Sequence, residues 1–256
     1  MLSNFEEIGY AVFRAAIDVT EVDRTEREIV RSYEGSLDRQ DGAKLAWRNL
    51  GTSRSGLLNS HLCQTPEIHP FVSAFREILV SSAIFDALHG IDGEEHYTLH
   101  QSIFFFESPL TPPHIESMTL DTTPRGLSRT VWGAIDPITP MNGPAYVVPR
   151  RAREYESDPE EKTKAAHRQM TLENLCVRES HIHALVMAPG SIAVWAPSTP
   201  HGSMPPHPRY AGRRSFQAIY RPTRITKWGG YPHHDQEHLP SDEEFGVNRN
   251  FSFLRI

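Results

Sequence analysis

The chain has 256 residues, 38% hydrophobic and 23% charged, a balance that excludes a disordered polymer and gives enough apolar material for one sizeable core. A net charge of -6 excludes a binder that holds nucleic acid by bulk phosphate neutralisation, and two cysteines, Cys63 and Cys176, exclude a disulfide framework or a thiolate zinc site. Residues 1–7 lack the basic start and apolar run of a signal peptide, and no stretch reaches membrane-spanning length. A soluble, reducing, cytoplasmic setting without nucleic-acid or membrane partners is therefore expected.

Residues 10–15 read as a short strand and residues 22–33 as a helix with Ile29 and Val30 on its buried side. Residues 35–60 are polar and contain glycines, as a loop over one end of the fold would. Thr65-Pro66-Glu67 then offers a capping hydroxyl, a first-turn proline and an early acid. Ile68, Phe71, Val72, Phe75, Ile78, Leu79 and Leu88 recur at helical spacing, with Gly90 as the expected stop.

From Tyr97 the apolar period becomes that of strands. Strands are expected at 100–106, 113–118, 129–135 and 144–148. After a charged helical insertion over 158–179, they resume at 183–187, 191–196 and 213–220. Twenty prolines, crowded into the second half, break it into short extended pieces. Helices early and many short strands late predict a mainly β chain with N-terminal helices, a double-stranded β-helix of the jelly-roll, cupin-like form. One domain over 1–256 is expected: helical support over about 1–95, the jelly-roll core over about 96–222, and a tail over 223–256 that wraps the domain.

The chemistry-bearing residues cluster in this second half. In Pro112-Pro113-His114-Ile115-Glu116 the prolines favour extended backbone, and on a strand His114 and Glu116 point to one face. Pro200-His201-Gly202-Ser203 brings a third ligand from a distant segment. Two histidines and one carboxylate cover one face of an octahedral iron and leave the opposite positions open, as non-haem Fe(II) oxygenases require. Arg213 adds a planar cation suited to gripping a carboxylate bidentately. His181-Ile182-His183 and His233-His234-Asp235 are competing ligand clusters, while His96 and His100 read as strand-edge or pocket-lining residues.

At this point the chain resembles the phytanoyl-CoA dioxygenase family of Fe(II)/2-oxoglutarate-dependent oxygenases. The matching pieces are His100-Gln101-Ser102-Ile103-Phe104, the His114/Glu116 pair, Val131-Trp132-Gly133-Ala134-Ile135, and Asn142-Gly143-Pro144 with Val147-Val148-Pro149. Ala188-Pro189-Gly190-Ser191, His201-Gly202-Ser203 and Arg213-Arg214-Ser215 follow in order. The resemblance implies that His114, Glu116 and His201 hold iron. It implies that Arg213 anchors the far carboxylate of 2-oxoglutarate, that Ser203 and Trp132 line the same pocket, and that Ser215 pairs with Arg213 along one strand face. Leu99 is a further pocket candidate, and Arg214 is expected to face solvent. Implied with these are O2 as co-substrate, a small-molecule substrate that is hydroxylated with release of succinate and CO2, and a monomer or weak homo-oligomer.

Two departures stand out. Most family members place aspartate where Glu116 stands, and Val148-Pro149-Arg150-Arg151 replaces the usual turn, so the two arginines are candidates for orienting an acidic substrate. Two other functions remain open at this stage: a cupin-like metalloenzyme that does not use 2-oxoglutarate, and a catalytically silent binding domain of the same fold.

Overall fold

The structure, a computed structural model, describes residues 2–34, 52–53, 56–58, 69–118, 120–149, 182–210, 212–225 and 227–229. Most of the loop expected over 35–60, the helix start at Thr65-Pro66-Glu67, Arg150 and Arg151, the insertion over 158–179, His181, the His233-His234-Asp235 cluster and most of the tail lie outside these residues. So do the side chains of Ile29 and Val30.

Helix α1 (Leu2–Ile8) leads into strand β1 (Tyr10–Phe13) and helix α2 (Thr20–Glu34). Asp18 starts α2 by accepting the Thr20 backbone N–H at 2.9 Å, and Glu21 and Asp23 place acids in the first turn, where the helix dipole favours them. Strands β2 (Thr52–Ser53) and β3 (Gly56–Leu58) form a short hairpin.

The long helical period that follows is two helices, not one. Helix α3 (His69–Leu79) stops because Ser81 adopts an extended backbone (φ −66°, ψ 143°), and α4 (Ser82–Asp92) begins directly after it. Gly90 lies inside α4. The stop is Gly93, whose left-handed φ of 72° lets its N–H reach the His89 carbonyl.

The strands are β4 (Tyr97–Phe105), β5 (Asp121–Thr123), β6 (Arg129–Ala134), β7 (Ala145–Val147), β8 (His183–Ala184), β9 (Ile192–Trp195), β10 (His201–Ser203), β11 (Ser215–Pro222) and β12 (Lys227–Gly229). They form a seven-stranded sheet in the order β1-β9-β6-β11-β4-β3-β2, a three-stranded sheet β10-β7-β8, and the pair β12-β5. All the pairings are antiparallel. This is the mainly β, jelly-roll-like architecture expected, although among the described residues the sheets do not close into a barrel.

Alternation along the large sheet sorts its side chains between two cores. Val131, Ile192, Val194, Phe216, Ala218 and Tyr220 join the helices through Phe71, Phe75, Leu79 and Leu88. Trp132, Ala134, Ala193 and Trp195 face the other way, toward Ala145 and Val147 of the small sheet. The helices therefore back the large sheet, and a cavity lies on its opposite face. Arg214 reinforces that backing. It is not solvent-facing as expected, but reaches Asp136 (2.6 Å), Asp23 (2.5 Å) and Glu26 (2.6 Å), tying α2 to the β6 end. Among the described residues no helix is long and apolar enough to cross a membrane.

Candidate metal centre

The segment expected as a strand over 113–118 is not one. His114 makes a two-residue antiparallel bridge with His201, each backbone N–H donating to the other's carbonyl at 2.9 and 3.0 Å. Glu116 then opens a single 3-10 turn, Glu116–Met118, fastened by the Ser117 N–H to the Pro197 carbonyl at 2.8 Å. The ligand pair is thus placed by two anchors on the segment that carries His201, on either side of buried Ile115. Strand alternation plays no part. The three side chains still converge, with one ligand atom of each lying within 4.8 Å of the others. Among the described residues this is the one such group of three.

Hydrogen bonding sets which imidazole nitrogens face inward. Nδ1 of His114 lies 2.9 Å from the Pro112 carbonyl, and Nδ1 of His201 lies 2.9 Å from the Thr199 carbonyl. A carbonyl only accepts, so each Nδ1 carries a proton, and in the neutral ring each Nε2 presents a lone pair, the tautomer that binds a metal. Nε2 of His201 comes to 3.0 Å from Oε2 of Glu116, yet both atoms are buried without a hydrogen-bond partner. Two orphaned buried donor atoms of opposite charge preference, joined by a second imidazole, fit a divalent cation that would satisfy both.

The electrostatics agree. Burial pushes the Glu116 carboxyl up, but attraction to the His201 ring 3.0 Å away overcomes it, and the group sits below its ordinary value. Burial pushes His201 down, but Glu116 overcomes that and holds it above its ordinary value. His114 is held below its own, by burial and then by His201.

These groups open onto a cavity of about 420 Å³ between the large sheet and the small one. Its wall includes Trp132, Ser203 and Arg213 of the residues the sequence suggested, and also Gln101, Trp195 and Gln217. Arg213 is 1% exposed. Its Nε donates to the Gly143 carbonyl at 3.0 Å, Nη1 donates to Ser215 Oγ, and the guanidinium stacks 4.8 Å above the Trp132 ring. Ser215 thus acts on the cavity through Arg213. Burial depresses the Arg213 guanidinium to about 10. Ser203 Oγ accepts the Thr111 N–H at 2.6 Å, so its own proton remains available to a ligand.

Leu99 is the exception. Although it is two residues from cavity-lining Gln101, it packs in the helix-side core. In the β4–β11 ladder Ile219 faces Gln101 but Tyr220 faces Leu99, so His100 is an extra residue in β4. This bulge reverses the side-chain phase, turning Leu99 and Tyr97 toward the helices while Gln101, Ile103 and Phe105 face the cavity. His100, at the bulge, does not line the cavity. His183 lies elsewhere, its Nδ1 2.6 Å from the Tyr10 hydroxyl. Gln217 and Trp195 were not singled out from the sequence. For Gln217 the signal was present, since it lies two residues beyond Ser215 on the same strand face.

The fold is similar to several solved structures. One is SnoK, a non-heme alpha ketoglutarate dependent carbocyclase from nogalamycin biosynthesis, at TM-score 0.60 and 16% identity over 93% of this chain and 89% of that one. A second is EctD from S. alaskensis, solved with 2-oxoglutarate and 5-hydroxyectoine, at TM-score 0.59 and 17% identity over 93% of this chain and 80% of that one. A third is the epimerase SnoN in complex with Fe3+, alpha ketoglutarate and nogalamycin RO, at TM-score 0.59 and 13% identity over 88% and 84%. No curated protein sequence matches the chain. The family model for phytanoyl-CoA dioxygenase (PhyH) matches residues 5–211, a span that includes both histidines and the glutamate of the cluster, and the chain belongs to that family.

Proposed function

We propose that the chain is an Fe(II)/2-oxoglutarate-dependent dioxygenase that hydroxylates a small-molecule metabolite in a reducing cytoplasm, as a monomer or weak homo-oligomer. The observation that carries this reading is the His114/Glu116/His201 cluster, with both Nδ1 atoms tied to backbone carbonyls and, across the same cavity, a buried arginine that meets no carboxylate among the described residues. His114 and His201 would hold the metal through Nε2 and Glu116 through a carboxylate oxygen. Bound there with 2-oxoglutarate and O2, iron supplies the oxidising power for C–H hydroxylation, with succinate and CO2 as by-products.

The protein's own residues bind and orient. Arg213, pre-positioned by Gly143, Ser215 and Trp132, offers its guanidinium to the far carboxylate of 2-oxoglutarate, and Ser203 offers a hydroxyl to the same ligand. Trp132, Trp195, Ile103 and Phe105 limit water around the reacting carbon. A cupin-like metalloenzyme without 2-oxoglutarate would leave Arg213 buried with no anionic partner among the described residues, which favours the oxygenase reading. SnoN, solved with alpha ketoglutarate, and EctD, solved with 2-oxoglutarate, share this fold and support the same co-substrate here.

The test is an anaerobic titration of metal-free protein with Fe(II) and then 2-oxoglutarate, followed by a metabolite screen for oxygen-dependent succinate release. Saturable uptake of both ligands is expected. Failure to bind 2-oxoglutarate in the presence of Fe(II) would overturn the reading.

A further inference from the structure

The Glu116 carboxylate has two differently treated oxygens. Oε2 faces His201 Nε2 and is buried without a hydrogen bond, whereas Oε1 accepts a hydrogen bond from Gln217 Nε2 at 3.3 Å. The amide orientation follows from the chemistry: a carboxylate oxygen accepts, so the nitrogen end of Gln217 faces it. From the middle of β11, opposite Trp132 on one side and Ile103 on the other, Gln217 reaches into the cavity. A β-strand in the centre of a sheet is a rigid base for such a contact.

We propose that Gln217 is a positioning residue that fixes the Glu116 carboxylate so that one oxygen, Oε2, is presented to the metal. The need for it lies in the ligand itself. Glutamate has one more torsion than aspartate, and its terminal sp3–sp2 torsion is broad, so an unrestrained Glu116 would present either oxygen or both. Holding Oε1 removes that freedom and keeps a second coordination position clear. The same strand then carries both devices: Ser215, which orients Arg213, and Gln217, which orients Glu116. This inference rests on the iron reading above, and its test separates the two.

Metal-free wild-type protein, Gln217→Met and Gln217→Leu are titrated calorimetrically with Mn(II), an air-stable stand-in for Fe(II), without 2-oxoglutarate or substrate. Loss of an outer-shell contact should weaken Mn(II) binding by about 10- to 100-fold. The melting temperature of the metal-free protein should stay close to wild type, which a merely structural role for Gln217 would not allow. In a Glu116→Asp background, where the carboxylate is drawn back from Gln217, adding Gln217→Met should change Mn(II) affinity by less than about threefold. Wild-type affinity in both single variants, or an equal loss in the Asp background, overturns the proposal. A wild-type chain that binds neither Mn(II) nor Fe(II) overturns the iron reading itself, and this proposal with it.

Discussion

Arg213→Met separates binding from stability. In the ligand-free protein the guanidinium is buried and depressed to about 10, which corresponds to about 3 kcal/mol against the charged form. Opposing that cost are charge-assisted hydrogen bonds to Gly143 and Ser215, each worth about 1.5–3 kcal/mol, and a desolvated stacking contact with Trp132 worth about 2 kcal/mol. Together they exceed the cost by about 2–5 kcal/mol. The linear methionine side chain keeps much of the volume and recovers part of that margin as apolar burial, about 1.5–3 kcal/mol, so ligand-free stability should fall by no more than about 3–4 kcal/mol, a shift of roughly 6–14 °C at most. Binding of 2-oxoglutarate should behave differently, because removing one partner of a buried charge pair costs about 3–5 kcal/mol, at least a hundredfold in Kd. Arg214→Ala should show the reverse, since it strips the counter-ion from Asp136, Asp23 and mostly buried Glu26 and loosens α2 without touching the cavity. Calorimetric 2-oxoglutarate titration of metal-loaded protein, paired with thermal melts of both variants, measures the two quantities. If Arg213→Met melts far below wild type yet binds 2-oxoglutarate normally, or if the two variants behave alike, the reasoning fails.

Replacing His114, Glu116 or His201 with Ala should each abolish tight metal uptake while leaving the circular dichroism of the fold intact; a Glu116→Ala protein that binds and turns over normally would remove the ligand assignment. Metal affinity should rise with pH. Without metal, His201 is held above its ordinary 6.5, so its stabilising share is complete below that value and is lost as pH rises through the raised one. Glu116, held below 4.5, stabilises above that value and loses its share as pH falls through the depressed one. Below the raised value of His201 metal uptake displaces its second proton, so calorimetry in buffers of different ionisation enthalpy should detect proton release there, and a pH-independent affinity without it would contradict the pairing. Gly133→Ala should destabilise by about 1–3 kcal/mol in denaturant melts, because a Cβ there would sit 2.0 Å from the Phe216 ring, and an unchanged midpoint would show that the ring yields freely.

Local chemistry was enough for much of this protein. The change of apolar period near Tyr97 and the density of prolines announced a mainly β chain behind N-terminal helices, because burying alternate residues or every third and fourth leaves a mark in any window of sequence. His114, Glu116, His201 and Arg213 were legible because their chemistry is rare and their order specific. What the sequence could not settle depends on partners distant along the chain. Ser81 breaks one expected helix into two, and the helical period continues across the break. Glu116 lies on a turn, not a strand, because Pro197 and His201 hold the segment from across the fold. Leu99 faces the helices because one extra residue, His100, shifts the phase of β4 against β11, and a bulge exists only in the pairing of two strands. Arg213 and Arg214 are neighbours of identical chemistry, and only the packed structure gives one a cavity and the other three carboxylates. Residue types and spacing determined which chemistry was available, but which atoms face one another was decided by tertiary contacts.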